Sequence, residues 1–460
     1  MVTSSLYSLA DVLAVAKIHP FYSDTQYPPD KDTIQAAREQ GASALHEPHL
    51  TAQPFLRKKD LYATIDRLVS DTSPQNTYRH NVYTSITGGG SNSKPLFFAT
   101  DALENRRHRA YFGQFLRSSG LIKPGDWVLT THYGGDLYRS LDLTLEIMEN
   151  AGASALAAGA GMPPAKAIQT LQDYHVNVLA GDGSQVVQMV HHISMLTPTE
   201  RDKIKLDRII YTSEPLTAAQ KTHIHAVLGG VSICSILGSA EAGPYGVTSP
   251  DLVPTDLSTG NADFIIDTRM TLIEILPFSF TEGDDAPDPV AEGQAGILVQ
   301  TSLTRLRNPL VRYLTGDVGS LLPLPDKAKS LIPEAQWRYM RVLRLQGRDR
   351  RFSFEWSGTF IDFEEMNCVM AETKLGILQW QVILDKMETS KASSLDVRLL
   401  CTHASDDAIS RQAVVDRLRG FFYIDSANEH SFRITFVDAL TGFELSQTGR
   451  KVVKFIDRFT

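Results

Sequence analysis

Between about residues 100 and 245 the chain alternates short β-rich runs with longer amphipathic stretches, and few folds accommodate that rhythm. The runs fall at 127–131, 154–157, 176–180, 208–212 and 231–236, with helical patterns at 101–116, 137–149, 163–174 and 218–228 between or before them. Strand–helix–strand alternation of this kind predicts an α/β fold with mostly parallel sheets flanked by helices. In such sheets ligands sit beyond the carboxyl ends of the strands, so the segments that follow these runs are where chemistry is expected.

From about 262 to 345 the pattern changes to strands with turn chemistry, at 264–266, 272–276, 296–301 and 318–322, with a polar, acidic, proline-containing loop at 281–294. After about 347 a second composition appears, with strands at 379–384, 395–400 and 431–437 and a helix at 408–421. The expected organisation is a large domain over 1–346 that includes a strand-rich subdomain, then a small mobile α+β domain over 347–460. Near the start, Leu6, Leu9, Leu13 and Ala16 recur at helical spacing and Pro20 ends the helix.

Composition narrows the function classes. Apolar residues are 42% and charged residues 21%, which suits a globular chain and excludes disorder and coiled coil. The formal charge of −8 is spread without a long basic run, so a nucleic-acid partner is not expected. Cys234, Cys368 and Cys401 are isolated, which argues against a disulfide framework and a cysteine-built zinc site. No stretch has the length and apolarity of a membrane span, and Asp11 interrupts the apolar part of the N-terminal segment, which makes a poor signal peptide. The expectation is a cytoplasmic protein without a membrane partner. The oligomeric state stays open, a homodimer included.

Five segments carry residues suited to chemistry, and each has a plainer reading. Tyr83-Thr84-Ser85-Ile86-Thr87-Gly88-Gly89-Gly90-Ser91-Asn92-Ser93-Lys94 offers backbone N–H groups, hydroxyls and one ammonium that can wrap a polyphosphate, or it is a flexible turn. Leu237-Gly238-Ser239-Ala240-Glu241 follows a buried run, where a carboxylate can hold Mg²⁺ or a Ser/Glu pair can cap a helix. Tyr313-Leu314-Thr315-Gly316-Asp317 puts a carboxylate at a glycine, suited to two ribose hydroxyls or to an Asx turn between strands. Arg344-Leu345-Gln346-Gly347-Arg348-Asp349-Arg350-Arg351 reads as a hinge or as a linker. Gly449-Arg450-Lys451 near the C-terminus reads as the solvated face of a terminal helix, or as the source of a functional lysine.

Taken in order, these segments resemble the adenylate-forming (ANL) superfamily, and within it the phenylacetate–CoA ligase-like branch. His19-Pro20-Phe21-Tyr22 resembles that branch's "PFY" segment and Arg57-Lys58-Lys59-Asp60-Leu61 its "TK-DL" segment. Thr84-Ser85-x-Thr87-Gly88-Gly89 resembles the phosphate loop "TSGTTG", and Asp101 falls at the following helix start. Ser213-Glu214-Pro215-Leu216 resembles "GEPL", Gly238-Ser239-x-Glu241 resembles "YGxTE", and Tyr313-x-Thr315-Gly316-Asp317 resembles "YRTGD". Gly347-Arg348-Asp349 resembles "GRxDD", and Lys451 through Asp457 the terminal "GKAKRVID".

The resemblance implies an AMP-forming carboxylate ligase. Such an enzyme joins a small-molecule carboxylic acid to the α-phosphate of ATP, releasing pyrophosphate, and then passes the acyl group to a thiol, classically coenzyme A. It further implies that Lys451 and Glu241 are catalytic, with Glu241 on Mg²⁺ and Lys451 between carboxylate and α-phosphate. Nucleotide contacts would come from Thr84, Ser85, Thr87, Gly88, Gly89, Ser213, Glu214, Pro215, Gly238, Ser239, Asp317 and Arg348. The acid would lie between His132, Tyr133, Gly134 and Asp136 on one side and Gly181, Asp182 and Gly183 on the other. Asp136 and Asp182 suit an amino or hydroxyl substituent on that acid, or they cap helices. The chain departs from the pattern at Ile86, Gly88, Leu237, Ala240 and Arg450. Two alternatives therefore stand beside the CoA ligase: transfer to an amine or a carrier-protein thiol, and a nucleotide-binding relative with impaired catalysis.

Overall fold

The computed structural model describes residues 7–42, 49–86, 97–135, 137–213, 216, 218–253, 261–280, 287–348, 353–387, 392–401, 411–438, 440–444 and 452–459. The chain divides into two compact units, one through Gly347 and one from Arg348 onward.

In the first unit, β1 (Val82–Ile86) and β2 (Phe97–Asp101) form a two-stranded antiparallel ribbon. The alternating region then supplies β3 (Trp127–Thr130), β4 (Ser154–Ala157), β5 (Val178–Asp182), β6 (Arg208–Thr212) and β7 (Ser232–Ser239). These five run parallel in the order β4-β3-β5-β6-β7, as the βαβ rhythm predicts. Period-2 alternation explains how both faces are covered. Val128, Val178, Ala180, Ile210 and Cys234 pack on one face with Phe112, Phe115, Ile147 and Met148 of the helices Ala102–Ser118 and Ser140–Ala151. Leu129, Leu179, Ile209 and Tyr211 pack on the other with Leu171, Val186, Met189 and Ile224 of the helices Pro164–Asp173, Gly183–Ser194 and Ala218–Leu228.

The strand-rich part continues the same sheet. β8 (Gly243–Thr248), β9 (Ala262–Asp267), β10 (Thr271–Leu276), β11 (Gly296–Ser302), β12 (Tyr313–Leu322) and β13 (Met340–Arg348) complete eleven strands, in the order β7-β8-β9-β13-β12-β11-β10 from the parallel half outward. The hinge or linker reading, which covered Arg344–Arg351, is corrected in its first part: Arg344 through Arg348 belong to β13, where Arg344 pairs with Asp263 of β9 in register and binds its carboxylate at 2.7 and 2.8 Å. Thr315, Gly316 and Asp317 lie inside β12 rather than in a turn between strands.

The second unit is α+β. β14 (Ser353–Trp356) and β15 (Thr359–Asp362) form a hairpin, and β16 (Ile377–Lys386), β17 (Ser393–Cys401), β18 (Phe432–Phe436) and β19 (Phe455–Asp457) form a sheet in the order β18-β17-β16-β19. Its core includes Trp356, Val397, Leu418, Phe421 and Phe422. The terminal segment, read as helical from its basic residues, is a strand parallel to β16. Phe455 stacks on Phe354 at 4.5 Å, and that aromatic packing outweighs the charge pattern around it. Among the described residues no helix is long and apolar enough to cross a membrane.

His19 and His108 are buried neutral in the first unit. His19 bonds Asn308 through Nε2 at 3.1 Å and accepts from the Phe21 N–H at Nδ1, and burial lowers its pKa to about 3. His108 donates from Nε2 to the Pro244 carbonyl at 2.7 Å, faces Thr304 Oγ1 with Nδ1, and is lowered to about 4 by burial. Unfolded histidine titrates near 6.5, so the unfolded chain binds more protons below that pH and stability falls from pH 6.5 toward 4. Glu104 has the opposite sign. Burial raises it to about 7, so its cost is present above that pH and is relieved as pH falls toward 4.5. Melting temperature followed from pH 4 to 8 is expected to show a shallower fall toward acid in His108→Gln and a steeper one below pH 6.5 in Glu104→Gln, where the opposing contribution of Glu104 is gone.

The β10–β11 contact gives a packing test. A Cβ on Gly296 would lie 2.0 Å from the Leu276 carbonyl oxygen, whereas one on Gly161 meets nothing within 4 Å. Gly296→Ala is expected to destabilise by about 1–3 kcal/mol in urea titration, and Gly161→Ala by less than about 0.5 kcal/mol.

Candidate functional site

The strand order places a crevice. From β3 the chain crosses outward to β4, while from β5 it crosses the other way to β6, so the connections diverge between the neighbours β3 and β5. A topological switch point of this kind is where open α/β sheets bind ligands. His132 follows β3, Gly181 and Asp182 end β5, Thr212 ends β6, and Gly238 and Ser239 end β7, all at one edge of the parallel half.

At that edge a hydrogen-bonded chain joins three strands. Thr212 Oγ1 donates to Asp182 Oδ1 at 3.1 Å and Ser213 Oγ donates to the same oxygen at 2.6 Å. Thr212 has then spent its one proton, so its contact with His132 Nε2 at 2.9 Å requires a proton on Nε2. Nδ1 is consequently an acceptor for Thr130 Oγ1 at 2.8 Å. This arrangement holds the buried His132 neutral, and desolvation lowers its pKa to about 4 against the opposing charge of Asp182. Asp182 is also the N-cap of the helix Gly183–Ser194, its N–H donating to Gln185 Oε1 at 3.3 Å. The capping role is therefore present, together with a second role as the acceptor of two hydroxyls.

Small residues set the spacing. A Cβ on Gly181 would lie 2.3 Å from Thr131 Oγ1, so only glycine lets β5 approach the segment after β3 this closely. Gly183 is buried at the start of its helix, and a Cβ on Gly134 would press on Leu141 at 3.1 Å. Tyr133 is partly exposed, edge-on to Tyr138 at 5.8 Å. Ser213 has φ +71°, in the left-handed region, at the place where the resembling turn carries glycine.

Glu241 lies in the β7–β8 connection and is buried. Its Oε1 accepts from the hydroxyls of Tyr62 at 2.7 Å and Tyr313 at 3.2 Å. The hairpin is held tight by Gly238, whose Cβ would lie 2.8 Å from Pro244 Cα, and by Ser239, whose hydroxyl accepts from the Ala242 N–H at 3.0 Å. The turn-stabilising role of Ser239 is thus present, but no helix follows. Among the described residues no three His, Cys, Asp or Glu gather into a metal-binding group. The Glu241 carboxylate is an oxygen donor that could hold a cation.

Asp317 is presented by an irregularity in β12. Ile297 pairs with Val318 and Val299 with Leu314, so Thr315, Gly316 and Asp317 oppose Leu298 alone. Thr315 Oγ1 donates to the Leu298 carbonyl at 3.2 Å and accepts from the Asp317 N–H at 3.0 Å, while Gly316 takes φ +77°. The strand is anchored one residue before Tyr313 by fully buried Arg312, whose guanidinium binds Glu274 with two bonds of 3.1 Å and the carbonyls of Thr51 and Gln53.

The structure thus unites His132, Asp182 and Ser213 at one edge, and ties Glu241 to the Tyr313 of the Asp317 segment. Thr84 and Ser85 lie on the separate ribbon, opposite Ala99 and Phe98. Arg348 ends β13. Thr87, Gly88, Gly89, Asp136, Glu214, Pro215 and Lys451 lie outside the described residues. Sequence reasoning did not single out Thr130, Thr212 or Tyr62. Thr212 had a signal, as the last residue of a predicted strand beside a candidate turn, whereas Tyr62 is 179 residues from Glu241 and had none.

Neither a protein-family model nor a curated protein sequence matches the chain. Solved structures do. The 2-hydroxyisobutyryl-CoA ligase in complex with 2-HIB-AMP and CoA in the thioesterification state is similar with TM-score 0.57 and 17% identity, over 97% of this chain and 87% of that one. The same ligase in the postadenylation state with 2-HIB-AMP gives TM-score 0.55 and 16% identity, over 99% and 91%. Its open conformation gives 0.53 and 17%, over 97% and 89%. The chain shares the fold of that ligase along nearly its whole length.

The left-handed Ser213 yields a test at the edge itself. Ser213→Ala loses the bond to Asp182 and keeps the backbone cost, whereas Ser213→Gly loses the bond and removes that cost, which is about 1 kcal/mol. Urea midpoints are expected in the order wild type, Ser213→Gly, Ser213→Ala; equal midpoints for the two variants would show that no left-handed cost exists there.

Proposed function

We propose that the chain is an AMP-forming carboxylate ligase that activates a small carboxylic acid as its acyl-adenylate and transfers the acyl group to the thiol of coenzyme A. The observation that carries this reading is the buried Glu241 carboxylate, held on one oxygen by two phenols beside the ends of the parallel strands, in a fold shared with a CoA ligase. The order of the motifs along the sequence supports it, as do Asp182, Ser213, Gly238 and Ser239 at or just beyond the carboxyl ends of parallel strands, where this fold class binds ligands.

In the first step a carboxylate oxygen of the acid forms a bond to the α-phosphorus of ATP, and the bond to pyrophosphate breaks. Negative charge is rearranged on phosphate oxygens, so fixed donors and cations lower the barrier. Thr84, Ser85, Thr87, Gly88 and Gly89 would cradle the phosphates, Asp317 would receive the ribose hydroxyls, and Arg348 would lie beside ribose and phosphate. Ser213, Glu214 and Pro215 would lie along the adenine, with Gly238 and Ser239 beside them. Mg²⁺, held by Glu241, would supply charge neutralisation at the phosphates. Lys451 would bridge the acid and the α-phosphate.

The acid would sit in the β3–β5 crevice, against His132, Tyr133, Gly134 and Asp136 and against Gly181, Asp182 and Gly183. In the second step the thiol loses its proton, its sulfur bonds to the acyl carbon, and AMP leaves. We assign residues 1–346 to nucleotide and acid binding and residues 347–460 to the unit that delivers Lys451. Placement in the cytoplasm completes the proposal.

Pyrophosphate release with ATP, Mg²⁺ and a panel of aryl, fatty and hydroxy acids tests it. Acid-dependent release is expected, with CoA consumed in equal amount, and Glu241→Gln and Lys451→Ala are each expected to lower the rate by about 10²-fold or more. Acid-dependent release without CoA consumption would replace the thiol with an amine or carrier-protein acceptor. ATP binding without release from any acid would support the catalytically impaired alternative.

A further inference from the structure

Arg305 is 3% exposed, and among the described residues its Nε and Nη1, both closed to solvent, have no hydrogen-bond partner. The other buried arginines of this unit show how unusual that is. Arg208 pairs with Asp126, Arg269 with Asp267, Arg307 with Asp101 and Arg312 with Glu274. Arg109 also keeps two unfilled nitrogens, but its Nη1 binds both Asp142 and Glu146. A guanidinium donor without an acceptor in a buried place costs stability, and such a group usually awaits an ion, a water or a ligand.

The backbone on either side of Arg305 is pinned. Thr304 Oγ1 bonds His108 Nδ1 at 2.8 Å, and the N–H groups of Leu306 and Arg307 donate to the Glu104 carboxylate at 3.2 to 3.4 Å. The guanidinium lies over the Phe98 ring at 4.9 Å, and Phe98 pairs directly with Ser85 in the ribbon. The charges of Glu104 and Glu241 both act on it, but the bonds to their oxygens come from other donors. Desolvation prevails over those charges and brings the Arg305 pKa down to about 10, as expected of a cation short of anionic partners.

We propose that Arg305 is an anion-binding residue whose Nε–H and Nη1–H receive phosphate oxygens of the nucleotide. The inference rests on the nucleotide reading above and adds a residue that the sequence motifs do not contain. It also gives a physical reason why the chain can carry Ala240 and Gly88 where the resembling family has hydroxyl residues. A charge-assisted donor pair is stronger than the hydroxyl contacts it would replace.

Binding calorimetry on the full chain with Mg·ATP and with inorganic pyrophosphate tests this, alongside the melting temperature of the unliganded protein. Arg305→Met is expected to weaken both ligands by about tenfold or more, with an unliganded melting temperature equal to or above wild type because an unpaired buried charge is gone. Arg305→Lys should recover part of the affinity. Wild-type affinity in Arg305→Met would overturn the inference while leaving the nucleotide reading intact. Lost affinity with a lower melting temperature counts against it unless Arg305→Lys restores binding. Absence of ATP and pyrophosphate binding in the wild type would overturn both.

Discussion

The reversal of strand order between β3 and β5 is the constraint on which the rest of the first unit depends. Parallel strands need crossovers, crossovers are right-handed, and helices must cover both faces, so a sheet that grows outward in both directions leaves a gap where its connections part. The chain cannot fill that gap with its own backbone without burying unpaired peptide groups. It lines the gap instead with side chains that satisfy one another, from Thr130 through His132 and Thr212 to Asp182. The proton positions in that line follow from the carboxylate at its end. A neutral histidine results, held in one tautomer by neighbours on two other strands.

The antiparallel half solves a different problem, which is to bring residues far apart in sequence onto the same turn. Glu241 is fixed by a phenol from the helix Lys58–Ser70 and another from the first residue of β12. Tyr313 is well placed for this because Arg312 before it is locked to Glu274 and to two carbonyls, and the irregularity that follows projects Asp317. Stability and site geometry are coupled here, since strain or loss at the Arg312 anchor would displace both Glu241 and Asp317.

Much of this was legible in the sequence. The parallel strands and their helices follow from hydrophobic period and turn residues, and the strands at 154–157 and 208–212 and the helix at 218–228 coincide with the observed elements. What the sequence could not supply were interactions decided by tertiary packing. Arg344 to Arg348 look like a solvated charge cluster until Asp263 is seen opposite, and Val452 to Phe459 look like a basic helix until Phe455 meets Phe354. Residue types at strand ends drew attention to Asp182, Ser213 and Glu241, whose contacts the structure describes, but the bond from Tyr62 to Glu241 spans 179 residues and the Arg305–Phe98 contact about two hundred, and no local signal exists for either.

On the proposed function, this edge of the sheet activates a carboxylate through an adenylate. Exchange of labelled pyrophosphate into ATP tests that step alone, because it needs the acid and Mg²⁺ but no acceptor. Acid-dependent exchange that persists without CoA is the predicted result. ATP binding with no exchange, across acids that fit beside His132 and Asp182, would contradict the claim.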